Sequence, residues 1–185
     1  MPVHNSDVAD IFREIADLLE IQGANPFRVR SYRNAARTVS GLTRSVVEMA
    51  RQGEDLTELS GIGESIAAKI EELAETGRLA QLQELEADVP AGLPQLMHIE
   101  GLGPKRVARL YETLGVTGLE ELAVAARDGR IREVDGFGEK IEQKILEGIE
   151  RAQTEEKRTR LDVAEERAES LVSYLEEMQT VDRVV

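Results

Sequence analysis

One short pattern, apolar-x-Gly-apolar-Gly, occurs three times in this chain and constrains its fold more than any other feature. The copies are Leu59-Ser60-Gly61-Ile62-Gly63, Ile99-Glu100-Gly101-Leu102-Gly103 and Val134-Asp135-Gly136-Phe137-Gly138. Their glycines permit positive φ in a tight turn, and each turn precedes apolar residues at helical spacing. A helix N-terminus presents unpaired N–H groups and a positive dipole end to an anion. Three copies therefore predict contact with the phosphates of a nucleic-acid backbone.

Composition excludes several other classes of protein. The 185 residues include no cysteine and only two histidines, so we expect neither a disulfide framework nor a zinc centre. The chain has no apolar run long enough for a membrane span, and its first residues lack the parts of a secretory signal. We expect a cytoplasmic protein with no membrane partner and one or two small domains.

The net charge of −13 opposes nucleic-acid binding, because DNA-binding proteins are usually basic. One segment differs from the rest. From Ile21 to Val47 there is no acidic residue, whereas five arginines occur there: Arg28, Arg30, Arg33, Arg37 and Arg44. Salt screens distant acids beyond about 8 Å, so this segment can still attract phosphate. The alternative is that the arginines form a solvated helix face.

Apolar spacing predicts an all-α fold of two small helical domains built on helix-hairpin-helix motifs. The first domain covers residues 1–88 and the second covers residues 92–153, with helix breakers at Asp88–Pro94 between them. Residues 154–185 are expected to form a connecting helix and the start of a strand cut from a longer chain. The expected helices run from about Pro26 to Ser40, Leu42 to Arg51, Glu64 to Thr76, Pro104 to Leu114, Glu139 to Arg151 and Lys157 to Met178. A further helix before these is expected to be capped by Asn5 or Ser6, and short helices are expected near residues 79–85 and 119–126.

A cation stands eight residues after the first glycine of each hairpin. The three cations are Lys69, Arg109 and Lys144, and the residues that follow them are Ile70, Leu110 and Ile145. The apolar residue anchors the second helix of each motif to its partner. The cation is either a shared solvent-facing position or a shared DNA-facing position.

The order of these features resembles the N-terminal part of family X DNA polymerases, especially the bacterial members (PolX). The resemblance rests on Asn25–Ala36, which contains Pro26-Phe27-Arg28 and Tyr32, on the hairpin that follows, on Thr76-Gly77-Arg78-Leu79 and on the second hairpin. It covers essentially the whole chain. It implies an 8-kDa lyase-like domain, a thumb-like helix-hairpin-helix domain and a final helix leading toward a palm domain that this sequence does not include.

The resemblance implies roles in DNA repair for three residues. Arg28 and Tyr32, one helical turn apart, match ligands of the 5′-phosphate in gapped or nicked DNA. Lys69 matches the nucleophile of a 5′-deoxyribose-phosphate lyase. A lysine nucleophile must be neutral, and lowering its pKa by about 3 units costs about 4 kcal/mol. A further lysine of the family pattern is Ser65 here, which removes one charge from the phosphate site.

The hairpins are expected to bind the DNA backbone without reading sequence. The residues concerned are Gly61, Gly63, Gly101, Gly103, Lys105, Arg106, Gly136, Gly138 and Lys140. The resemblance also implies Na⁺ or K⁺ held by the main-chain carbonyls of Thr57, Leu59 and Ile62 and of Met97, Ile99 and Leu102. No other cofactor is expected, because the divalent metals of the family belong to the palm, and this chain alone should not polymerise DNA.

Two alternatives remain open beside a polymerase portion with lyase activity. One is a non-catalytic helix-hairpin-helix module that makes the same DNA contacts. The other is a protein-interaction scaffold, which the acidic surface would suit.

Overall fold

Helices make up the regular structure of this chain in a computed structural model that describes residues 3–152 and residue 154. The α-helices are α1 (Asn5–Ile21), α2 (Pro26–Ser40), α3 (Val46–Arg51), α4 (Glu64–Thr76), α5 (Ala80–Asp88), α6 (Leu93–Leu96), α7 (Pro104–Leu114) and α8 (Leu119–Arg127), followed by α9, which begins at residue 139 and includes residue 152. Single-turn 3₁₀ helices occupy Leu56–Glu58 and Ile131–Glu133. The all-α prediction is confirmed. The helix predicted from Lys157 to Met178 and the strand predicted at the C-terminus lie outside the described residues.

Local signals set the ends of several helices where the sequence places them. Pro26 occupies the first turn of α2, and the Asn25 side chain accepts a hydrogen bond from the Phe27 N–H at 2.9 Å. Gly77 ends α4 in the left-handed conformation, with φ of 69°. The predicted bounds of α4 and of α7 match those observed.

The predictions for the cap of α1 and for the start of α3 were wrong, and Asn5 explains both. The N-cap position belongs to His4, whose N–H donates to the Asp7 carboxylate at 2.8 Å. The Asn5 side chain instead binds two carbonyls of the α2–α3 loop, at 3.2 and 2.8 Å, and accepts from the Val46 N–H at 2.9 Å. These bonds hold residues 42–45 outside a helix, so α3 begins at Val46.

A single cluster of buried apolar side chains runs from Val8 to Ile149 and joins the two halves of the chain. Helix α1 lies at its centre and packs against α2, α5 and α7. The segment rich in Pro and Gly between the halves is itself packed, since Val89 and Leu93 are buried. A Cβ on Gly92 would overlap the Thr117 carbonyl. Among the described residues, no helix combines the length and the apolar character needed to cross a membrane.

Candidate nucleic-acid interface

The three hairpin turns share one backbone geometry. In each turn an N–H donates to the carbonyl three residues earlier: Ile62 to Leu59 at 3.0 Å, Leu102 to Ile99 at 2.9 Å and Phe137 to Val134 at 3.0 Å. The first glycines, Gly61, Gly101 and Gly136, have φ of 81°, 92° and 82°. These are the features of a type II turn, which needs positive φ at its third residue. The turn itself therefore requires the first glycine of each copy.

The second glycine of each copy has no such requirement inside the protein. Gly63 and Gly103 are N-caps with extended backbone, at φ of −95° and −102°. A Cβ built on either residue, or on Gly138, would meet nothing within 4 Å. Glycine at such a position leaves room for an outside group to approach the backbone.

Each of these turns also presents unused backbone donors. No described residue accepts from the N–H groups of Gly63, Glu64, Ser65, Gly103, Lys105, Gly138, Glu139 or Lys140. They lie in the first turn of α4, α7 or α9, where the helix dipole adds positive potential. Each hairpin therefore combines free donors with an unobstructed backbone.

The second and third hairpins are joined by a reciprocal pair of contacts. Arg109 Nη1 donates to the carbonyl and the carboxylate of Asp135 at 2.9 and 2.8 Å, and Lys144 Nζ donates to Glu100 Oε1 at 2.9 Å. Glu100 and Asp135 occupy the same position, directly before the first glycine. The Lys144 bond lowers the pKa of the Glu100 carboxyl. The repeated cation is therefore a structural contact in these two copies.

Lys69 holds the same repeated position in the first hairpin but has a different environment. The residue that corresponds to Glu100 and Asp135 is Ser60, which has no acidic side chain. Its carbonyl accepts a hydrogen bond from Thr38 Oγ1 of α2 at 2.7 Å. Lys69 is half-buried and makes no hydrogen bond or ion pair with any residue in the described ranges. Because α2 anchors this turn, the Lys69 amine is left free for another partner.

Arg28 and Tyr32 lie together, but the tyrosine is not an open surface residue. Tyr32 is 3% exposed, packs edge-on to Phe12 and donates its hydroxyl to Gln81 Oε1 at 2.6 Å. Burial raises the pKa of Tyr32, while Gln81 and Arg28 oppose that effect. Gln81 Nε2 is buried and has no partner among the described residues. Sequence reasoning missed Gln81, whose only signal is its place just after Thr76-Gly77-Arg78-Leu79.

Phe27 is a second residue that sequence reasoning did not assign. It is 73% exposed, and the Arg30 guanidinium lies 4.5 Å from the centre of its ring. The sequence did contain a signal for it, because Phe27 is a large apolar residue that does not fall on the buried face of α2. The ring gives the arginine-rich end of α2 a flat exposed surface.

The cations that follow the second and third hairpins have unequal positions. Lys105 is 85% exposed, and its Nζ lies 3.8 Å from Glu20 Oε1. Arg106 donates to the Gly101 carbonyl at 2.7 Å, and its guanidinium lies 5.9 Å from the Phe137 ring centre, so it braces two turns. Lys140 is exposed and has no ion-pair partner in the described part of the chain.

A buried carboxylate distinguishes the third hairpin. Glu142 is 1% exposed and accepts from the N–H and the Nε of Arg132 at 2.9 and 2.6 Å. The equivalent residues of the first two copies are Ala67 and Val107. The bonds tie α9 to the 3₁₀ turn that precedes the third hairpin.

The carbonyls expected to bind a monovalent cation have lone pairs to spare. The carbonyls of Leu59 and Ile99 each accept one hydrogen bond within their turn. The carbonyls of Thr57, Ile62, Met97 and Leu102 accept no backbone hydrogen bond from described residues. Carbonyl oxygens are suitable ligands for such hard cations, and Na⁺ or K⁺ at these two sets of residues stays a prediction. In the described part of the chain, no group of three or more His, Asp or Glu side chains could hold a metal ion.

Comparisons with known proteins agree with this architecture. Residues 3–79 match the family described as a helix-hairpin-helix domain, and residues 93–151 match the SAM-like helix-hairpin-helix tandem. The DNA polymerase/3′-5′ exonuclease PolX of Bacillus subtilis (strain 168) is 37% identical over 147 residues, which are 80% of this chain and 25% of that protein. The DNA nucleotidylexotransferase of Ambystoma mexicanum is 33% identical over 119 residues, which are 64% of this chain and 22% of that protein.

The chain thus spans about a quarter of the length of these curated relatives. The two matched domains and the shared identity support DNA binding. They also agree with the three observed hairpins. This chain therefore contains two helix-hairpin-helix domains and matches the N-terminal region of a bacterial family X DNA polymerase.

Proposed function

We propose that this chain binds gapped or nicked DNA through its backbone and its 5′-phosphate, without reading base sequence. The second glycine of each hairpin is the observation that carries this proposal. Neither φ nor packing requires glycine at Gly63, Gly103 or Gly138, and free N–H groups stand beside each of them. A phosphate oxygen that approaches those donors closely supplies the missing reason.

The second and third hairpins act as a double clamp on the backbone. The reciprocal pair of contacts joins their two turns. Lys105 and Lys140 stand at the helix N-termini that follow these turns and add positive charge where the phosphates bind. The Arg106 guanidinium donates a hydrogen bond to the Gly101 carbonyl. Arg106 therefore stabilises the turn of the second hairpin and does not itself bind phosphate.

The 5′-phosphate binds beside Arg28, in the first turn of α2. Arg28 supplies the charge beside the Tyr32 hydroxyl. The Tyr32 hydroxyl holds the Gln81 amide in place. Phe27 offers its exposed ring as a stacking surface for a neighbouring base, a contact that tolerates any sequence.

Lys69 is the proposed nucleophile of a 5′-deoxyribose-phosphate lyase reaction. Its neutral amine attacks the C1′ aldehyde and forms an imine with loss of water. Water then takes the C2′ proton, and the C3′–O bond breaks with its electron pair on the oxygen, which leaves a 5′-phosphate on the DNA. Water finally hydrolyses the imine and frees Lys69. Arg109 and Lys144 form ion pairs, whereas Lys69 forms none with a described residue, and this difference supports Lys69 in this role.

The two glycines of one hairpin provide the test of backbone binding. We expect Gly103→Ala to weaken binding to gapped DNA about tenfold, while costing at most about 1 kcal/mol of stability as an altered N-cap. Gly101→Ala should cost about 1–2 kcal/mol of stability because of its positive φ. Fluorescence anisotropy and thermal unfolding measure the two effects, and unchanged DNA binding in Gly103→Ala would contradict the proposal.

The 5′-phosphate site is tested with paired gapped DNAs that carry a 5′-phosphate or a 5′-hydroxyl. Arg28→Gln should reduce the preference for the phosphate. Arg127→Gln on α8 makes the same charge change at an exposed position and should leave the preference intact. An equal preference in wild type and in Arg28→Gln would remove Arg28 from the site.

Borohydride trapping on incised abasic DNA tests the chemistry. Lys69→Arg keeps the charge but lacks the amine nucleophile, so it should bind DNA as wild type does and form no trapped adduct. An adduct that persists in this variant would exclude Lys69. Absence of an adduct in wild type would leave a non-catalytic DNA-binding module.

A further inference from the structure

A pocket between α1 and α2 brings together three arginines that have no role in the proposed clamp or in the 5′-phosphate site. Its volume is about 390 Å³. The residues that line it are Arg13, Asp17, Arg33, Arg37 and Ser40. Three guanidinium groups and one carboxylate thus face one concavity, in a chain whose net charge is −13.

The arginines of this pocket are unequally neutralised. Arg13 pairs with Asp10, and Arg33 pairs with both Asp17 and Glu20. Arg37 forms no ion pair or side-chain hydrogen bond with a residue that the structure describes. Burial raises the pKa of Asp17, and the hydrogen bond and charge of Arg33 oppose that effect.

Arg33 also lines a second concavity, which leads to the second hairpin. The other residues of that concavity are Glu20, Gly103, Pro104, Lys105 and Arg106. It therefore includes Gly103 and Lys105, the two residues of this hairpin whose free N–H groups bind a backbone phosphate in the proposed function. A strand held there passes beside Arg33, which also lines the first pocket together with Arg37.

We propose that the pocket formed by Arg13, Arg33 and Arg37 binds a phosphate group. The continuity with the second hairpin favours a backbone phosphate of the bound DNA, and to that extent the inference rests on the proposed function. Arginine suits this task because its planar fork can donate two parallel hydrogen bonds to one phosphate. Asp17 opposes the anion and limits its affinity.

The experiment compares Arg37→Gln and Arg13→Gln with the matched control Arg127→Gln in the same chain. DNA affinity is measured as a function of salt, since each lost duplex phosphate contact lowers the log–log slope by about 0.9. The deficit of Arg37→Gln should therefore shrink about 3.5-fold between about 50 and about 200 mM salt. Asp17→Asn should bind DNA about two- to fivefold more tightly.

Titration with inorganic pyrophosphate, followed through the arginine Nε–H resonances, forms the second arm. A lower salt slope in Arg37→Gln and in Arg13→Gln supports the pocket with DNA as the source. An unchanged slope with weaker pyrophosphate binding supports the pocket with a free phosphate as the source. If both variants match Arg127→Gln in both arms, the pocket inference is overturned while DNA binding by wild type stands. If wild type binds no DNA, the proposed function fails and the pyrophosphate arm alone decides the inference.

Discussion

The first hairpin and the pair formed by the second and third hairpins use the same turn in different ways. The pair is held together by its own repeated cations, which cross to the opposite turn at Glu100 and Asp135. The first hairpin has no such counterpart and is held by Thr38 of α2, so Lys69 remains free. The comparison teaches that one sequence position can be structural in two copies and available for chemistry in the third.

The largest expected effect is at Gly148, where α9 approaches the second hairpin. A Cβ there would lie 2.6 Å from Ile99 Cγ2, whereas the equivalent residue of α4 is the buried Leu73. Replacing Gly148 with that leucine should cost about 3 kcal/mol of the free energy of unfolding. Chemical denaturation measures the loss, and exposed Glu150→Leu on the same helix serves as the control. Equal stability of the two variants would show that the close approach is not required.

The buried carboxylate of the third hairpin gives the next effect. Glu142→Ala leaves the Arg132 N–H without its acceptor and should cost about 1–3 kcal/mol of stability. Glu142→Gln keeps an acceptor oxygen and should lose less. Thermal unfolding of both variants measures the difference. The first hairpin already has an alanine, Ala67, at this position. If Glu142→Ala does not lower the stability, the third turn does not depend on the carboxylate.

A double-mutant cycle on Arg109 and Asp135 tests the reciprocal contact. Because both side chains are well exposed, we expect a coupling free energy of about 0.5 kcal/mol, weaker at high salt. Lys69→Gln in the first hairpin should leave stability unchanged within about 0.5 kcal/mol. Zero coupling between Arg109 and Asp135 would show that their contact is not structural. A large loss of stability in Lys69→Gln would show that Lys69 has a structural role.

The smallest effect is a pH dependence of opposite sign at Glu14 of α1 and at Glu100 of the second hairpin. Burial, with the nearby charges of Glu86 and Asp17, raises the pKa of Glu14, whereas Lys144 lowers the pKa of Glu100. The native state therefore holds the Glu14 proton more tightly than the unfolded chain does, and this stability is present below about pH 4.5 and is lost as pH rises through the raised pKa. The Glu100 contribution is present above about pH 4.5 and is lost as pH falls.

Denaturation across a pH series separates these two contributions. Glu14→Gln should stabilise the protein near neutral pH by about 0.3 kcal/mol, a value that allows for solvent screening. Glu100→Gln should flatten the acidic limb of the curve. A steeper acidic limb in Glu100→Gln would contradict the assigned direction of the Glu100 pKa.

Much of the local structure could be predicted because its causes are local. Helical spacing, Pro26, Pro104 and Gly77 act within a few residues, so α2, α4 and α7 were predicted closely. The start of α3 was missed because Asn5, forty-one residues away from Val46, holds the preceding loop. The domain limits at residues 88 and 92 stay predictions.

The candidate site divides along the same line. The sequence alone determined that three glycine turns would present helix N-termini, because positive φ and an N-terminal dipole follow from glycine and from helix direction. Only the tertiary structure decided that Tyr32 is buried against Gln81, that Glu142 is enclosed and that Arg109 and Lys144 cross between hairpins while Lys69 does not. These outcomes depend on which elements meet across distant parts of the chain, and side-chain identity at one position carries no record of its partner.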